Sequence, residues 1–299
     1  MRPWSIRLLV LPAAAALAVA LPSLVSHAQQ PAPAPSASPS AAAPAAPAAA
    51  IDPRADEILR KMGATLQAAQ RISFAAHAII DQTTDDGQRV QYAKNQKVQV
   101  RRPDKLAGDV TGDLEDLQFR YNGKEVAIYN PRTSSWGAIP APPTIEATLD
   151  MLATQYGLVM PLADLAFPDP YKVLIENARR GEYLGIGYVL DTKCHHLAFR
   201  QAYVDWQIWI QDGDQPLPRK VVITFKDQPG QPQYTAFLSD WKLSSEAGAS
   251  ASGGAGDDAF TLKPPAGAKK VDFAPATPPP PPTPAAPATP AIPATPGAR

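Results

Sequence analysis

Cysteine is almost missing from this sequence, since Cys194 is the one cysteine among 299 residues. A single cysteine excludes an intramolecular disulfide framework and a zinc site made of several cysteines. Basic charge is not in excess either: residues 52–273 contain all 28 acidic residues and 25 of the 28 basic ones, for a formal charge of −3. A mildly acidic chain without a basic stripe argues against nucleic acid as its main partner.

Catalytic motifs are missing as well. The sequence contains no nucleophile elbow, phosphate-binding loop or zinc-protease motif, which favours a non-enzymatic protein. One cluster, Cys194-His195-His196, combines nucleophile and base types. On a strand, Cys194 and His196 would share a face while His195 points to the other. Because the cysteine has no identifiable partner, a structural or surface role is favoured over thiol chemistry or metal binding, and no cofactor or metal is predicted.

Two groups of acidic residues lie beside glycines that mark predicted hairpin turns. Paired carboxylates can bind calcium or hydrolyse glycosides. Neither group has the spacing of a calcium loop, so solvated turns are the favoured interpretation. The groups are Asp81, Asp85, Asp86 and Asp113, Glu115, Asp116.

Residues 1–28 have the features of a secretory signal peptide. Arg2 and Arg7 precede an apolar run over residues 8–21, and residues 26–28 fit a small-x-small cleavage site. The alternative, an uncleaved membrane anchor, is disfavoured because the run is shorter than the roughly 20 residues of a spanning helix. We therefore predict cleavage and export to the periplasm of a Gram-negative bacterium.

Proline is concentrated at the two ends of the chain. Of 35 prolines, six lie in residues 31–50 and eleven in residues 274–299, among alanine, serine and threonine. Such segments bury little apolar area and favour extended conformations. We predict a disordered Ala/Pro-rich linker over 29–51, one domain over 52–273, and a disordered Pro/Ala/Thr-rich tail over 274–299.

The domain begins with a helix signal and continues with strands. Asp52 can cap a helix that starts at Pro53 and carries an apolar stripe to about Gln70. Alternating segments separated by turn residues then predict a meander of strands. These strands are predicted over residues 72–82, 90–102, 105–110, 117–121 and 125–129.

The pattern becomes helical between residues 140 and 177 and then returns to strands. Thr144 can cap a helix that runs to Tyr156, and two short helical stretches follow, one ending at Leu165 and one over 171–177. Further strands are predicted over 182–190, 195–202, 205–211, 219–226, 233–243, 258–262 and 268–273. One antiparallel sheet interrupted once by helices is an α+β fold.

Side-chain parity indicates which face of the sheet is buried. In residues 90–102 the even positions place Val98, Val100 and Arg102 on one face, while the odd positions are nearly all polar. The same alternation occurs around Ile128 and Trp206. A sheet with one apolar face needs a cover, and the amphipathic helices can supply it.

Several stretches resemble the LolA/LolB-like superfamily of periplasmic lipoprotein carriers and receptors, and more closely an uncharacterised family of predicted periplasmic proteins grouped with it. They follow the N-terminal helix in the order ISFAAHAIIDQTTDDGQ, VQVRRPDKL, NGKEVAIYNP and FTLKPPAGAKKVDF. The stretches CHHLAFR, DWQIWI and PLPRKVVITFK are similar to the narrower family. Together the matches span most of residues 53–273.

The resemblance implies an incomplete antiparallel β-barrel, of about 10–11 strands here, closed by an N-terminal helix and a central helical lid over a cavity for acyl chains. In the carriers, an arginine directly before a proline holds the lid by hydrogen bonds to its backbone. Arg102 matches that place, and a guanidinium has the donors for it. The predicted ligand-binding residues are Arg102, Val98, Val100, Ile128, Leu149, Leu152, Tyr156 and Trp206.

Two functions from different classes follow. The first is a monomeric, non-enzymatic periplasmic protein that binds a lipid or the acyl chains of a lipoprotein. The second is an envelope scaffold that docks a protein partner, carries no lipid and uses its proline-rich ends to set distance. A hydrolase is a distant third, because no catalytic triad can be assembled from the sequence.

Overall fold

The computed structural model describes residues 51–245 and 256–273. The predicted signal peptide, almost all of the predicted linker and the predicted tail lie outside these residues. Ile51, assigned to the linker, forms an isolated parallel bridge with Gly181. Among the described residues, no helix has both the length and the apolar character needed to cross a bilayer.

The first helix, α1, spans Pro53–Gln67. The carboxylate of Asp52 accepts hydrogen bonds from the backbone N–H groups of Arg54 (2.7 Å) and Ala55 (3.2 Å), as expected for an N-cap. One stripe of the helix is buried against the rest of the domain. This stripe consists of Ala55, Ile58, Leu59, Met62, Gly63 and Leu66.

The strands form one open sheet, which confirms the predicted α+β incomplete barrel. Within the described residues it has twelve strands. They are β1 (Arg71–Thr83), β2 (Arg89–Arg101), β3 (Lys105–Gly112), β4 (Asp116–Tyr121), β5 (Glu125–Asn130), β6 (Ser135–Pro140), β7 (Arg180–Val189), β8 (Thr192–Arg200), β9 (Val204–Gln211), β10 (Pro218–Phe225), β11 (Gln233–Ser244) and β12 (Lys269–Lys270).

The order of the strands determines where the helices lie. The sheet runs β12-β6-β5-β4-β3-β2-β1-β11-β10-β9-β8-β7, and every neighbouring pair is antiparallel except β12 with β6. β6 is therefore near one end of the sheet and β7 is at the other. The connection between them, residues 141–179, has to cross a whole face of the sheet, which we call the covered face.

This connection contains the remaining helices of the cover. Helix α2 (Ile145–Tyr156) begins at Thr144, whose hydroxyl accepts a hydrogen bond from the N–H of Ala147, and ends at Gly157 in the left-handed conformation (φ 65°). A 3-10 helix (Ala163–Ala166) and helix α3 (Pro170–Ile175) follow. The three helical stretches predicted between residues 140 and 177 are thus all present.

The register of the strands agrees with the predicted parity. Val98 pairs with Phe74 and Val100 pairs with Ile72, and these four side chains lie on the covered face. Across the sheet, Trp206 pairs with Ile223 on the same face. The apolar core therefore lies between this face, α1 and the connection over residues 141–179.

Two details near the ends of the sheet differ from the sequence prediction. β6 was not predicted, because Ser135–Pro140 (SWGAIP) has no clear alternation of apolar and polar residues. Residues 258–262, predicted to be a strand, contain a 3-10 helix over Asp257–Phe260 instead. There Phe260 alone is fully buried, so no strand-like face forms.

Candidate ligand pocket

Two cavities lie between the covered face and the helical connection. The first, of about 330 Å³, lies over β9 and β10, and the second, of about 190 Å³, lies over β2 to β5. Small-molecule sites in proteins usually measure about 300–1,000 Å³, so the first cavity reaches that range and the second does not. The interior is therefore not filled completely by the polypeptide.

One stretch of chain separates the cavities. Residues 158–163, which we call the dividing segment, line both of them. Leu162 in this segment is buried and has φ 73°, a backbone conformation that leucine rarely adopts. Directly after the segment, Leu165 and Phe167 are also buried against the core. The dividing segment thus occupies the middle of a larger apolar space under the cover.

The first cavity has an apolar interior and a polar mouth. Its interior side chains include Leu149, Trp206, Ile208 and Val221, all of them buried. Its mouth is formed by side chains that are mostly exposed to solvent. These are Glu176, Asn177, Arg179, Gln201 and Tyr203.

One charged residue of the first cavity is not at the mouth. Asp164, in the 3-10 helix, borders the cavity, and its carboxylate has no hydrogen bond or ion pair within the described residues. Burial raises the pKa of this carboxyl from 3.8 to about 6, and no neighbouring charge contributes to the shift. Part of its surface is still accessible because it faces the cavity.

Arg102 directly follows β2, at the end of this interior strand, and connects two parts of the cover. Its Nη1 donates to the backbone carbonyls of Leu66 (2.5 Å) and Ala69 (2.7 Å), at the C-terminus of α1. Its Nη2 donates to the carbonyl of Phe167 (2.5 Å), directly after the 3-10 helix. Since its partners are carbonyls and no carboxylate compensates, burial lowers the pKa of Arg102. The side chain thus ties α1 to the helical connection.

The other residues predicted to bind ligand are divided between the cavities and the core. Leu149 and Trp206 line the first cavity, whereas Val98, Ile128 and Leu152 line the second.

Val100 is only 2% exposed and lines neither cavity. Tyr156 also lies outside both, with its ring 5.8 Å from that of Phe273 in an edge-to-face contact. Arg102 touches the cover and not a cavity. The structure therefore brings five of the eight residues to cavity walls, and their role in binding stays a prediction.

Sequence reasoning missed Asp164 and the dividing segment as site residues. One signal was available, because Asp164 is the only charged residue between Asp150 and Asp169. A single charged residue in an apolar covering segment is expected either to reach solvent or to pair with another group.

The Cys194-His195-His196 cluster has the predicted faces but no reactive arrangement. Cys194 is buried, and this burial raises the pKa of its thiol, which is the opposite of nucleophile activation. His196 stacks on Trp209 (3.9 Å between ring centroids) and its Nε2 bonds to Gln207. Burial lowers the pKa of His196.

His195 is on the other face, where its ring nitrogens bond to Tyr183 and Asp212. Among the described residues, no group of three or more His, Cys, Asp or Glu side chains is placed to hold a metal ion.

The two acidic groups are engaged in local contacts. Asp116 forms an ion pair with Arg132 and accepts a hydrogen bond from the N–H of Gly112. Asp81, which is buried, accepts from Gln91 and from the backbone N–H of Gln233. These contacts position turns and neighbouring strands. Asp85, Asp86 and Asp113 are exposed at turns, as predicted, whereas Asp81 lies in β1 and is buried, so the prediction of a solvated turn is wrong for this residue.

The fold and the cavities define a class: an open antiparallel half-barrel with an apolar space under a helical cover. DUF2092, a family of predicted periplasmic proteins, matches residues 55–274, and the chain belongs to this family. The resemblance to such a family and the periplasmic localisation are thereby confirmed. No curated protein matches the chain.

Several solved structures are similar to this chain at low identity. Lipoprotein LppX of Mycobacterium tuberculosis has 12% identity and a TM-score of 0.41, over 65% of this chain and 100% of that one. LprF from Mycobacterium bovis has 10% identity and a TM-score of 0.39, over 64% and 94%. A LolA superfamily protein from Nitrosomonas europaea has 13% identity and a TM-score of 0.34, over 70% and 97%.

Proposed function

We propose that this protein binds a hydrophobic ligand, a lipid or the acyl chains of a lipoprotein, as a non-enzymatic carrier in the periplasm. The observation that carries the proposal is the first cavity, an apolar space of about 330 Å³ between the sheet and the cover. Its lining is aliphatic and aromatic in the interior and polar at the mouth, which suits a ligand with an apolar body.

The driving force would be removal of alkyl surface from water. Each buried methylene contributes about 0.8 kcal/mol, so about eight methylenes contribute on the order of 6 kcal/mol before the cost of immobilising the chain. A longer chain needs more room than the first cavity has. Displacement of the dividing segment would join the two cavities and supply that room.

Arg102 supports a cover that can be released. Its hydrogen bonds to the carbonyls of Ala69 and Phe167 hold the connection against α1 without any covalent link. A ligand that displaces the dividing segment would have to compete with these bonds. Arg102 would then set how readily the cover opens.

The decisive test is a lipid extract of the purified protein, together with its mass under native conditions. We expect lipid or acyl chains to co-purify, and a fluorescent fatty-acid analogue to bind and be displaced by unlabelled lipid. The same extract from an unrelated exported protein, purified in parallel, is the control. A clean mass combined with no binding of the fluorescent analogue would contradict the proposal.

A second candidate, the protein-docking scaffold, is favoured by strand β7. It is at the end of the sheet, and its side chains Leu184, Ile186 and Tyr188 are exposed, with Tyr188 at 69%. An edge strand with exposed apolar side chains can pair with a strand of a partner. A clean mass in the extraction experiment would favour this candidate.

A further inference from the structure

The carboxylate of Asp164 is an unusual group for the lining of an apolar cavity. It lies under the cover, is only partly exposed, and makes no hydrogen bond or ion pair within the described residues. Carboxylates in such positions are normally paired, because an ionised group without a partner is costly to remove from water. The folded protein therefore keeps an ionisable group at the wall of a cavity without a hydrogen-bond or ion-pair partner.

The neighbouring charged groups do not supply the missing partner. The other charged residues of the cavity lining are Glu176 and Arg179, both exposed at the mouth, and the titratable Tyr203 is exposed there too. Neither Arg179 nor any other cation contributes to the pKa shift of Asp164.

A second polar group of the lining also has an unsatisfied atom. Nε1 of Trp206 is buried without a hydrogen-bond partner. Two unpaired polar groups, one acceptor and one donor, thus belong to the wall of the same cavity. A buried polar group without a partner calls for an explanation, and for the acceptor Asp164 a ligand that carries a hydrogen-bond donor is one.

Building on the proposed function, we propose that the ligand of the first cavity is an amphiphile with an apolar chain and a protonated amine that pairs with Asp164. The chain would lie against β9 and β10, where Trp206, Ile208 and Val221 line the cavity.

Pairing with a cation is favourable here for a specific reason. Folding has already removed much of the water around the carboxylate of Asp164, so the remaining cost of binding is mainly the desolvation of the incoming amine. A charge-assisted hydrogen bond in this apolar surrounding is stronger than one to a neutral hydroxyl. An amine should therefore be preferred over an alcohol of the same chain length, and a carboxylate should be excluded by like charge.

The test compares decylamine, decanol and decanoate as competitors of a bound fluorescent alkyl probe at neutral pH. We expect decylamine to bind about tenfold tighter than decanol, with decanoate weakest. In Asp164→Asn, which keeps the size of the side chain, decylamine and decanol should bind equally. The control is Glu176→Gln, which removes an exposed carboxylate from the mouth of the same cavity and should keep the preference.

The pH dependence in the unmodified protein gives a second measurement that needs no variant. The amine stays protonated at acid pH, whereas Asp164, whose pKa is about 6, has to lose a proton before it pairs. At about pH 5 the preference for decylamine over decanol should therefore fall about tenfold. The affinity for decanol should not change between about pH 5 and neutral pH.

The possible outcomes separate this inference from the proposed function. If all three compounds bind equally, or if Asp164→Asn keeps the preference for the amine, the cavity takes apolar ligands but this inference is wrong. If none of them binds to the unmodified protein, the proposed function falls as well. A preference lost in Asp164→Asn and kept in Glu176→Gln supports both.

Discussion

Arg102 illustrates how one side chain can join two parts of a fold that are far apart in the sequence. A helix leaves its last carbonyls without intrahelical partners, and Arg102 satisfies those of α1 at Leu66 and near it at Ala69. The same guanidinium reaches Phe167 with its other terminal nitrogen. A lysine would bridge the two sides less well, because its ammonium is a compact charge with three donors and not a planar fork with five.

Replacing Arg102 should weaken the cover more than replacing a surface arginine would. We expect Arg102→Leu to lower the free energy of unfolding by about 2–4 kcal/mol, because buried carbonyls lose charged donors. Exchange of bound lipid should become faster, since the connection is no longer tied to α1. Urea denaturation and the rate of release of a fluorescent lipid measure the two effects.

Two further variants make the Arg102 measurement specific. Arg101→Leu removes the adjacent arginine, which pairs with the exposed Asp257, and should cost about 1 kcal/mol or less without changing lipid release. Arg102→Lys should restore only part of the stability. If Arg102→Leu released lipid as slowly as the unmodified protein does, the role assigned to this residue would be contradicted.

Asp164 shows why some residues of the candidate site could not be predicted from the sequence around them. Arg102 was found because it precedes a proline in a recognisable stretch and shares a face with Val98 and Val100. Asp164 lies in the short helical stretch predicted to end at Leu165, and a single aspartate in such a stretch is normally expected to face solvent. Its burial arises only when the connection packs onto the distant strands β9 and β10, and a local pattern does not contain that packing.

Among the elements, the helices were the most predictable because their ends carry chemical signals. Asp52 and Thr144 were predicted as N-caps and accept the expected backbone hydrogen bonds. Strand ends were less certain, and β6 was missed because its sequence shows no alternation. β6 forms as the second strand of a hairpin with β5, with Ile128 opposite Gly137, and such a pairing does not appear in the pattern of a single strand.

Helix α2 should be sensitive to charge on one side only. Leu149 is 5% exposed and lines the first cavity, so Leu149→Asp places a carboxylate in the apolar interior. We expect it to lower the affinity for a fluorescent lipid by about tenfold or more and to destabilise the fold by about 2–4 kcal/mol. Lipid titration and thermal unfolding measure these effects.

The matched control for Leu149 lies on the same helix. Ala147 is exposed and is in the first turn, where an acidic side chain is compatible with the helix dipole, so Ala147→Asp should leave binding and stability nearly unchanged. Leu149→Ala separates packing from charge, because it should lower stability while retaining lipid binding. Equal lipid affinity in Leu149→Asp and Ala147→Asp would contradict the assignment of α2 to the cavity wall.

At the scale of the whole molecule, one connection runs across the covered face from one end of the sheet to the other. The chain leaves β6 near one end and enters β7 at the other, so residues 141–179 form the cover together with α1 and supply one wall of each cavity. Opening of this connection would change the environment of Asp164, and the stability of the molecule is therefore linked to the protonation of one carboxyl.

The free energy of unfolding should depend on pH through Asp164. Its pKa is about 6 in the folded protein and near 3.8 when unfolded, so the folded state binds the extra proton between these values. The stabilisation of the protonated form is present below about pH 4 and is lost as pH rises through about 6. This difference amounts to on the order of 2–3 kcal/mol.

Asp164→Asn isolates this contribution. The variant should gain stability relative to the unmodified protein as pH rises from about 4 to about 7, as measured by urea denaturation at several pH values. A saturating alkylamine should reduce this difference in stability at neutral pH, because it pairs with the ionised Asp164 and stabilises the unmodified protein. A constant difference between the two proteins at all pH values would mean that Asp164 does not titrate as described.

The two ends of the sheet have unequal capacities for self-association. β12 pairs with β6 at Ser135 and Trp136 and places Lys269 and Lys270 there, so part of that edge is occupied and flanked by positive charge. At the opposite end β7 is bare beyond its bridge to Ile51 within the described residues. Fibre growth by strand addition needs two receptive edges on every molecule. Contact through β7 would therefore stop at a closed pair, which limits the aggregation hazard of an exposed apolar strand.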